Sequence, residues 1–391
     1  MLSLDSTPDS TPDSTVRTWM RRLRWSIAPP SKAAIVRCED AFPEAPTVTL
    51  AEGHWVQTPE TAFMNLDPFA AYIKGKQSWA PTLTTTHLSD VLFCPVNNCV
   101  LTDAGTLIAE STGPGARGAQ VDHQPFRSER PVTDLPGCST AFRCAFNDFY
   151  HLLVDNLSRF ALLHAPHFRQ FDTIQLLCPE GVSTLERYFI ERLCPPNVDV
   201  VPVASDRLYR AETYLLTSFP TRRASGYVHP DFVQRMHRTF AHPLRDGTHQ
   251  RIYISRAKAP KGRHVLNEAA LMDRLRPLGF EMHHLEQDPI EEQIARFANA
   301  ECVVAPHGAG LAHLLFASGT KVLELFGTSY VAPHYYLLSK AVGLEYRFIC
   351  GHGDALDADF RVRPDEVVQH VQSLLRTDSA PSSALARPSA S

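Results

Sequence analysis

The chain has 391 residues, 44% hydrophobic and 20% charged; that composition excludes a wholly disordered chain, and the length fits two domains of about 150–200 residues each. Lys and Arg number 38 against 42 Asp and Glu, a net charge of −4, so a general attraction to nucleic acid is excluded and any basic site must be local. Nine cysteines is an odd number, and only Cys94/Cys99 and Cys138/Cys144 lie close together, which excludes a disulfide framework or a CxxC site and points to a reducing compartment.

Residues 6–15 read STPDSTPDST, turn-forming and acidic with nothing to bury, so disorder is expected there. Residues 16–27 interleave Arg17, Arg21, Arg22 and Arg24 with Trp19, Met20, Leu23 and Trp25. That mixture suits peripheral contact with an anionic membrane, and equally a short basic helix packed on the protein. No stretch approaches the ~20 uninterrupted apolar residues of a membrane span, so the chain reads as cytoplasmic and at most peripheral to the membrane. Residues 1–30 are set apart as one segment, and the Ser-, Ala- and Pro-rich residues 377–391 as a disordered tail.

From residue 31 to about 143, short β-like runs such as 47–50 and 91–100 are broken by Pro and Gly, and their arrangement is not readable. Residues 147–163 place Phe149, Leu152, Leu153, Leu157, Phe160 and Leu163 at three- and four-residue spacings, an amphipathic helix. Apolar runs at 173–177 and 198–203 flank a helical stretch at 183–193, giving one β-α-β unit. Strands then alternate with helices: 251–255, 280–285, 302–306 and 321–326 as strands, with helices at 267–275, 290–299, from 308 and at 364–375. Such alternation predicts a parallel sheet with helices on both faces, and so an α/β fold of two domains, 31–245 and 246–376. Ligands of such sheets bind beyond the carboxyl ends of the strands.

After the strand RIYIS comes a loop carrying Arg256, Lys258, Lys261, Arg263 and His264, and residues 251–267 contain no acid. Cations after a buried strand and before a helix suit a phosphate-bearing ligand, although a solvated basic loop has the same composition. After CVVAP comes His307-Gly308-Ala309-Gly310, a sharp strand-to-helix turn that lets backbone approach a ligand. No Walker A sequence and no G-x-S-x-G nucleophile accompanies it. Glu324 lies within the apolar strand KVLELF and must be paired, either with ligand hydroxyls such as a ribose diol or with a structural partner such as Arg. His151 and Asp155 are four apart on one helix face, either a core histidine with its acceptor or an acid/base pair. Asp357-x-Asp359 has metal-transferase spacing but follows polar residues and reads as surface; no metal-ligand cluster is indicated.

FYHLLVDN (149–156), YISR (253–256) with Arg263 and Asn267-Glu268, and APHGAGL (305–311) followed by LLFA and KVLELF resemble glycosyltransferase family 61, the capsular-polysaccharide-type and plant xylan-type transferases. The resemblance covers roughly residues 147–375 and rests on the order and spacing of several motifs. It implies a GT-B-like fold, two Rossmann-like domains facing a cleft, and inverting transfer from a nucleotide-sugar donor to a glycan acceptor without metal or other cofactor. It also implies a role in surface polysaccharide synthesis. The implied donor-binding residues are Arg256, Arg263, Asn267, Glu268, His307, Gly308, Ala309, Gly310 and Glu324. His151 is the expected base with Asp155 orienting it, direct action by Asp155 being the alternative, and Tyr150 and Asn156 lie on the acceptor side. Two rival functions stay open: an acyltransferase using the His151/Asp155 dyad, and a non-catalytic nucleotide-sugar binder.

Overall fold

The computed structural model describes residues 35–55, 79–113, 130–144, 146, 148–221, 226–240, 250–259, 262–327, 331–353 and 359–376. The expectations for residues 1–30 and 377–391, the division at 245/246, and Asn147, Lys261 and Asp357 lie outside these residues.

The first half holds strands β1 (Ile35–Val36), β2 (Thr47–Ala51), β3 (His54–Trp55), β4 (Trp79–Ala80), β5 (Leu83–Cys94), β6 (Cys99–Leu101), β7 (Leu107–Ile108), β8 (Val132–Thr140), β9 (Ile174–Pro179), β10 (Val198–Val203) and β11 (Leu208–Thr217), with the short helix α1 (Cys38–Ala41) after β1. Nine of them form one sheet in the order β1-β7-β6-β5-β11-β8-β9-β10, with β2 against β5. The pairing is mixed: β5 and β11 run antiparallel, whereas β11–β8, β8–β9 and β9–β10 are parallel. The single run expected at 91–100 is a hairpin, because Asn98 turns at φ 49° and returns the chain as β6, with Cys94 opposite Cys99.

The predicted β-α-β unit is present, with β9 and β10 parallel around helix α3 (Thr184–Leu193). Its start is fixed by a capping box, Ser183 accepting from the Glu186 amide while Glu186 accepts from the Ser183 amide. The helix expected at 147–163 is more varied than its spacing predicts. His151–Asn156 is π-helical, α2 (Leu157–Phe160) is α-helical, and Ala161–His164 tightens to a 3-10 turn. The wider π-turn accompanies burial of every residue from Leu152 to Asn156, including the polar Asp155 and Asn156, as is common where a helix carries a site. Helix α4 (Pro230–Thr239) closes this half.

The second half is a five-stranded, wholly parallel sheet of β12 (Gln250–Ile254), β13 (Phe280–His283), β14 (Ala300–Pro306), β15 (Lys321–Phe326) and β16 (Glu345–Cys350), in the order β13-β12-β14-β15-β16. Helices α5 (Glu268–Leu275), α6 (Ile290–Ala298) and α7 (His334–Val342), with a 3-10 helix Ala309–Phe316, make the crossovers, and α8 (Pro364–Arg376) follows the last strand. The strands predicted at 251–255, 302–306 and 321–326 are present. Strand β16 and helix α7 carry weaker sequence signals: β16 is an edge strand whose Glu345 and Arg347 interrupt its apolar pattern, as edge strands tend to be blunted by charge.

Only this second sheet has the doubly wound parallel order; the first combines antiparallel and parallel pairs. A hydrophobic cluster joins the two halves: Phe160, Phe189 and Phe240 from the first pack with Leu311, Phe316 and Tyr336 from the second. Phe189 and Phe316 stack at 6.3 Å, and Phe240 meets Phe316 edge-on at 5.8 Å. A separate cluster, including Leu271, Val304, Leu323 and Val371, lies under α5 and α8 on the other face of the parallel sheet.

Candidate active site

The strand order puts a topological switch point between β12 and β14, where crossovers leave on opposite faces and open a crevice at the carboxyl ends. The basic loop follows β12 there and the glycine turn follows β14. Between them lies a cavity of about 290 Å³ walled by Phe149, Ile254, Leu285, Ile290 and Leu311, with Arg256, Gln293 and His313 among its polar residues. Arg256 lies across the turn: a Cβ on Gly308 would stand 2.0 Å from Arg256 Nη1 and one on Gly310 would stand 2.9 Å from Leu285 Cδ1. Glycine at 308 is what lets the guanidinium rest on the backbone.

Burial, and then the charge of Arg263, hold the Arg256 guanidinium below its ordinary pKa. Two cations converging in a half-buried site are the electrostatic complement of a polyanion. Arg263 adopts φ 64°, a left-handed backbone that costs a non-glycine residue about 1–2 kcal/mol and is held by its surroundings. The loop is anchored by Asp359, which accepts from the His264 amide at 2.8 Å and stands 3.2 Å from its Nδ1. Asp359 is half-buried, correcting its assignment to the surface.

Glu324 is fully buried and both its oxygens are engaged: His307 Nδ1 is 2.5 Å from Oε1, and Tyr346 donates to Oε2 at 2.5 Å. Its partners within the fold are therefore His307 and Tyr346, not an arginine. Burial pushes its carboxyl up to about 8. Burial, with Arg263 and Arg256 nearby, pushes His307 well below the usual imidazole range. Both shifts favour the uncharged forms of the two groups.

A second His–carboxylate pair stands on the π-turn. His151 Nδ1 meets Asp155 Oδ2 at 2.5 Å, with the Asp155 side chain fully buried and a fifth of the His151 side chain exposed. Thr221 donates to the other carboxylate oxygen, and Phe146 stacks on the imidazole at 5.1 Å. Burial alone would lower the His151 pKa, but the Asp155 hydrogen bond and charge, helped by Asp148, hold it above its ordinary value. With Nδ1 committed to Asp155, Nε2 is the nitrogen left for chemistry. Asn156 accepts from the Cys144 amide at 2.8 Å and is buried, and so fixes the preceding loop.

Aromatic contacts bring the two pairs together across the halves of the chain. Tyr150 lies 5.3 Å from His151, 5.7 Å from Tyr335 and 5.4 Å from His334, and Tyr335 lies 5.2 Å from His307. Asn267 and Glu268, grouped with the donor ligands by resemblance, are engaged inside the fold. Asn267 exchanges two hydrogen bonds with the Val362 backbone. Glu268 accepts from Tyr253 and Ser255, both at 2.9 Å, and Ser255 in turn accepts from the Ala257 amide. They shape the basic loop. Gly308, Ala309 and Gly310 line the cavity. Sequence reasoning missed Thr221, His313, Tyr335 and Tyr346. Only a pairing of sheet neighbours could have found Tyr346, since Glu324 is registered with Phe348 two residues away, on the same face. Among the described residues no group of three or more His, Cys, Asp or Glu forms a metal-ligand set.

Fold and site define an α/β protein with a ligand crevice at the switch point of a doubly wound sheet, faced by a His–Asp pair from a preceding helix. Residues 149–323, which contain the His151–Asp155 pair and His307 and end one residue before Glu324, match the family model for Glycosyltransferase 61. A β-1,2-xylosyltransferase of Oryza sativa subsp. japonica is 43% identical over 61 residues, 15% of this chain and 11% of the relative. A β-1,2-xylosyltransferase of Arabidopsis thaliana is 28% identical over 89 residues, 22% of this chain and 16% of the relative. The chain therefore matches less than a fifth of the length of either.

Proposed function

We propose that the protein is an inverting glycosyltransferase that moves a sugar from a nucleoside diphosphate to a hydroxyl acceptor. The observation that carries this reading is the placing of two converging cations, Arg256 and Arg263, beside the glycine turn at the switch point, with the His151–Asp155 pair brought to the same region through Tyr150 and Tyr335. A diphosphate needs cations that take up charge as the glycosidic bond breaks; a hydroxyl needs a base. In this mechanism His151 Nε2 removes the acceptor proton as the oxygen attacks the anomeric carbon from the face opposite the diphosphate, which inverts that centre. Asp155 keeps the proton on Nδ1 and stabilises the imidazolium, and Thr221 holds the carboxylate in place. Arg256 and Arg263 receive the departing diphosphate, and no metal is assigned a step.

The apolar walls of the cavity suit the nucleoside, and closure around them would keep water from competing with the acceptor. Both relatives are named for β-1,2-xylosyl transfer, so a pentose, xylose first, is the donor sugar to test. Those plant names give no support to the capsule role that the family resemblance implies, and it is not carried further. The test is a thermal-shift panel of UDP-xylose, other nucleotide sugars and coenzyme A thioesters. A ligand at a hundred times its Kd stabilises by about 2.7 kcal/mol. Stabilisation by an acyl-CoA and by none of the nucleotide sugars would replace this reading with acyl transfer; nucleotide-sugar binding with neither transfer nor donor hydrolysis would leave a binder.

A further inference from the structure

We propose that His313 reads the nucleobase of the donor, accepting at Nε2 a hydrogen bond from a ring N–H such as uracil N3–H or guanine N1–H; this deepens the donor-site reading above and rests on it. His313 is buried and lines the cavity together with Arg256, Gly308 and Gly310. Its Nδ1 lies 2.9 Å from the Gly310 carbonyl, which can only accept, so the ring proton sits on Nδ1 and Nε2 presents a lone pair. Nε2 has no hydrogen-bond partner among the described residues. Other polar side chains lining the cavity are engaged within the fold: Ser255 donates to Glu268, and the Gln293 amide donates to the Asp288 carbonyl. A buried acceptor without a partner is rare in a folded protein, and one in a cavity wall is accounted for by a ligand that brings the donor.

The surroundings narrow what that ligand group can be. Phe297 stacks on the imidazole at 5.1 Å and Phe149 lies 4.7 Å from it, while Ile254, Leu285 and Leu311 supply apolar wall. Such a setting suits a flat ring with one polar edge better than a hydrated hydroxyl group. Burial keeps the imidazole neutral at pH 7, so Nε2 stays an acceptor. Uracil and guanine carry a proton on the ring nitrogen at the centre of their pairing edge; cytosine and adenine carry a lone pair there, which would face that of Nε2 and leave it unpaired. Nε2 is screened from solvent, so the base reaches it by displacing the half-buried Phe149 ring. His313 stands on the 3-10 helix Ala309–Phe316 that leaves the glycine turn. The element that meets phosphate at Gly308 therefore carries the base reader about 10 Å farther along its axis, the span of a nucleoside.

Calorimetry of nucleoside diphosphates and of pyrophosphate, with the wild type and His313 variants, tests this without turnover. UDP should bind about tenfold or more tighter than CDP if the base is a pyrimidine, and GDP should exceed ADP by a similar factor if it is a purine, because the mismatched base leaves Nε2 unpaired. His313→Phe keeps a flat ring against Phe149 and Phe297 and removes the acceptor, so the preference should vanish while pyrophosphate binds as in the wild type; His313→Leu serves the same purpose if the phenylalanine variant does not fold. His313→Asn, which keeps an acceptor oxygen, should retain part of the preference, a result that loss of packing alone would not give. Equal binding of UDP and CDP together with equal binding of GDP and ADP, binding of pyrophosphate but of no nucleotide, or a preference that persists without the acceptor would overturn the base reading and leave the phosphate site standing. Absence of binding by every nucleotide and by pyrophosphate alike would overturn both.

Discussion

At Gly308 a single methyl group decides how the site works. A Cβ there would meet Arg256 Nη1 at 2.0 Å, the end of a flexible side chain, so Gly308→Ala should fold and displace the guanidinium. Calorimetry should show nucleoside-diphosphate binding weakened by about 1.5–3 kcal/mol, the range for hydrogen bonds to charged groups, with an unchanged melting temperature. On the other side of the site, His151→Ala should abolish transfer and leave donor affinity intact, whereas Asp155→Asn should keep a residual rate. Because Asp155 holds the His151 pKa above its ordinary value, and only neutral imidazole accepts a proton, the wild-type rate should fall as pH drops through that raised value. A dead Asp155→Asn beside an active His151→Ala would exchange the two roles. His313 gives a pH effect on stability: burial pushes it down to about 4, while Phe297 stacks on it at 5.1 Å. The unfolded chain binds a proton near pH 6.5 and the folded one does not, so stability should decline as pH falls from about 6.5 to 4, by on the order of 3 kcal/mol from this residue. Chemical denaturation across that window in His313→Phe should show a shallower decline.

Helix α3 illustrates how much one element depends on a few polar contacts. Ser183 and Glu186 close its capping box, and Glu186 also pairs with Arg143, whose guanidinium lies 2.6 Å from Oε1 and donates to the Pro179 and Gly181 carbonyls. Arg143 therefore ties the end of β9 to the start of the helix. Ser183→Ala should cost about 1 kcal/mol, the usual loss for a cap. Glu186→Ala should cost more, about 3–5 kcal/mol, because it strands a buried guanidinium. Urea titration of the two variants gives both figures; equal losses would mean that the Arg143 pair contributes nothing beyond the cap. The π-turn at His151–Asn156 is a comparable case, since its irregular backbone buries Asp155 while leaving His151 partly exposed.

Across the whole molecule, the aromatic cluster of Phe189, Phe240 and Phe316 joins the two halves, so the His151 and His307 pairs are held in one frame. Removing Phe316 by substitution with Ala should cost about 3–5 kcal/mol. Since the same ring supports both halves, calorimetric unfolding should remain a single transition displaced to lower temperature. Two separated transitions in that variant would show that the halves unfold independently. The cavity at the switch point depends on the same frame, because Phe149 reaches it from the first half and packs on His313 of the second at 4.7 Å.

By itself the sequence determined the alternation of strands and helices from Arg251 onward, the glycine turn, the basic loop and the four-residue spacing of His151 and Asp155. Each of these is local: hydrophobic period, turn chemistry and helix geometry act within a few residues. The family resemblance was legible for the same reason, as an ordered series of short motifs. Tertiary structure alone decided the partners of Glu324. His307 is 17 residues away and Tyr346 is 22 away, and sheet register rather than spacing brings them together. It likewise decided that Asn267 and Glu268 serve the loop, that Asn156 holds the Cys144 amide, and that Thr221 reaches Asp155 across 66 residues. A buried polar atom must find a partner, but a sequence states only the need; which partner answers it is fixed when the elements pack.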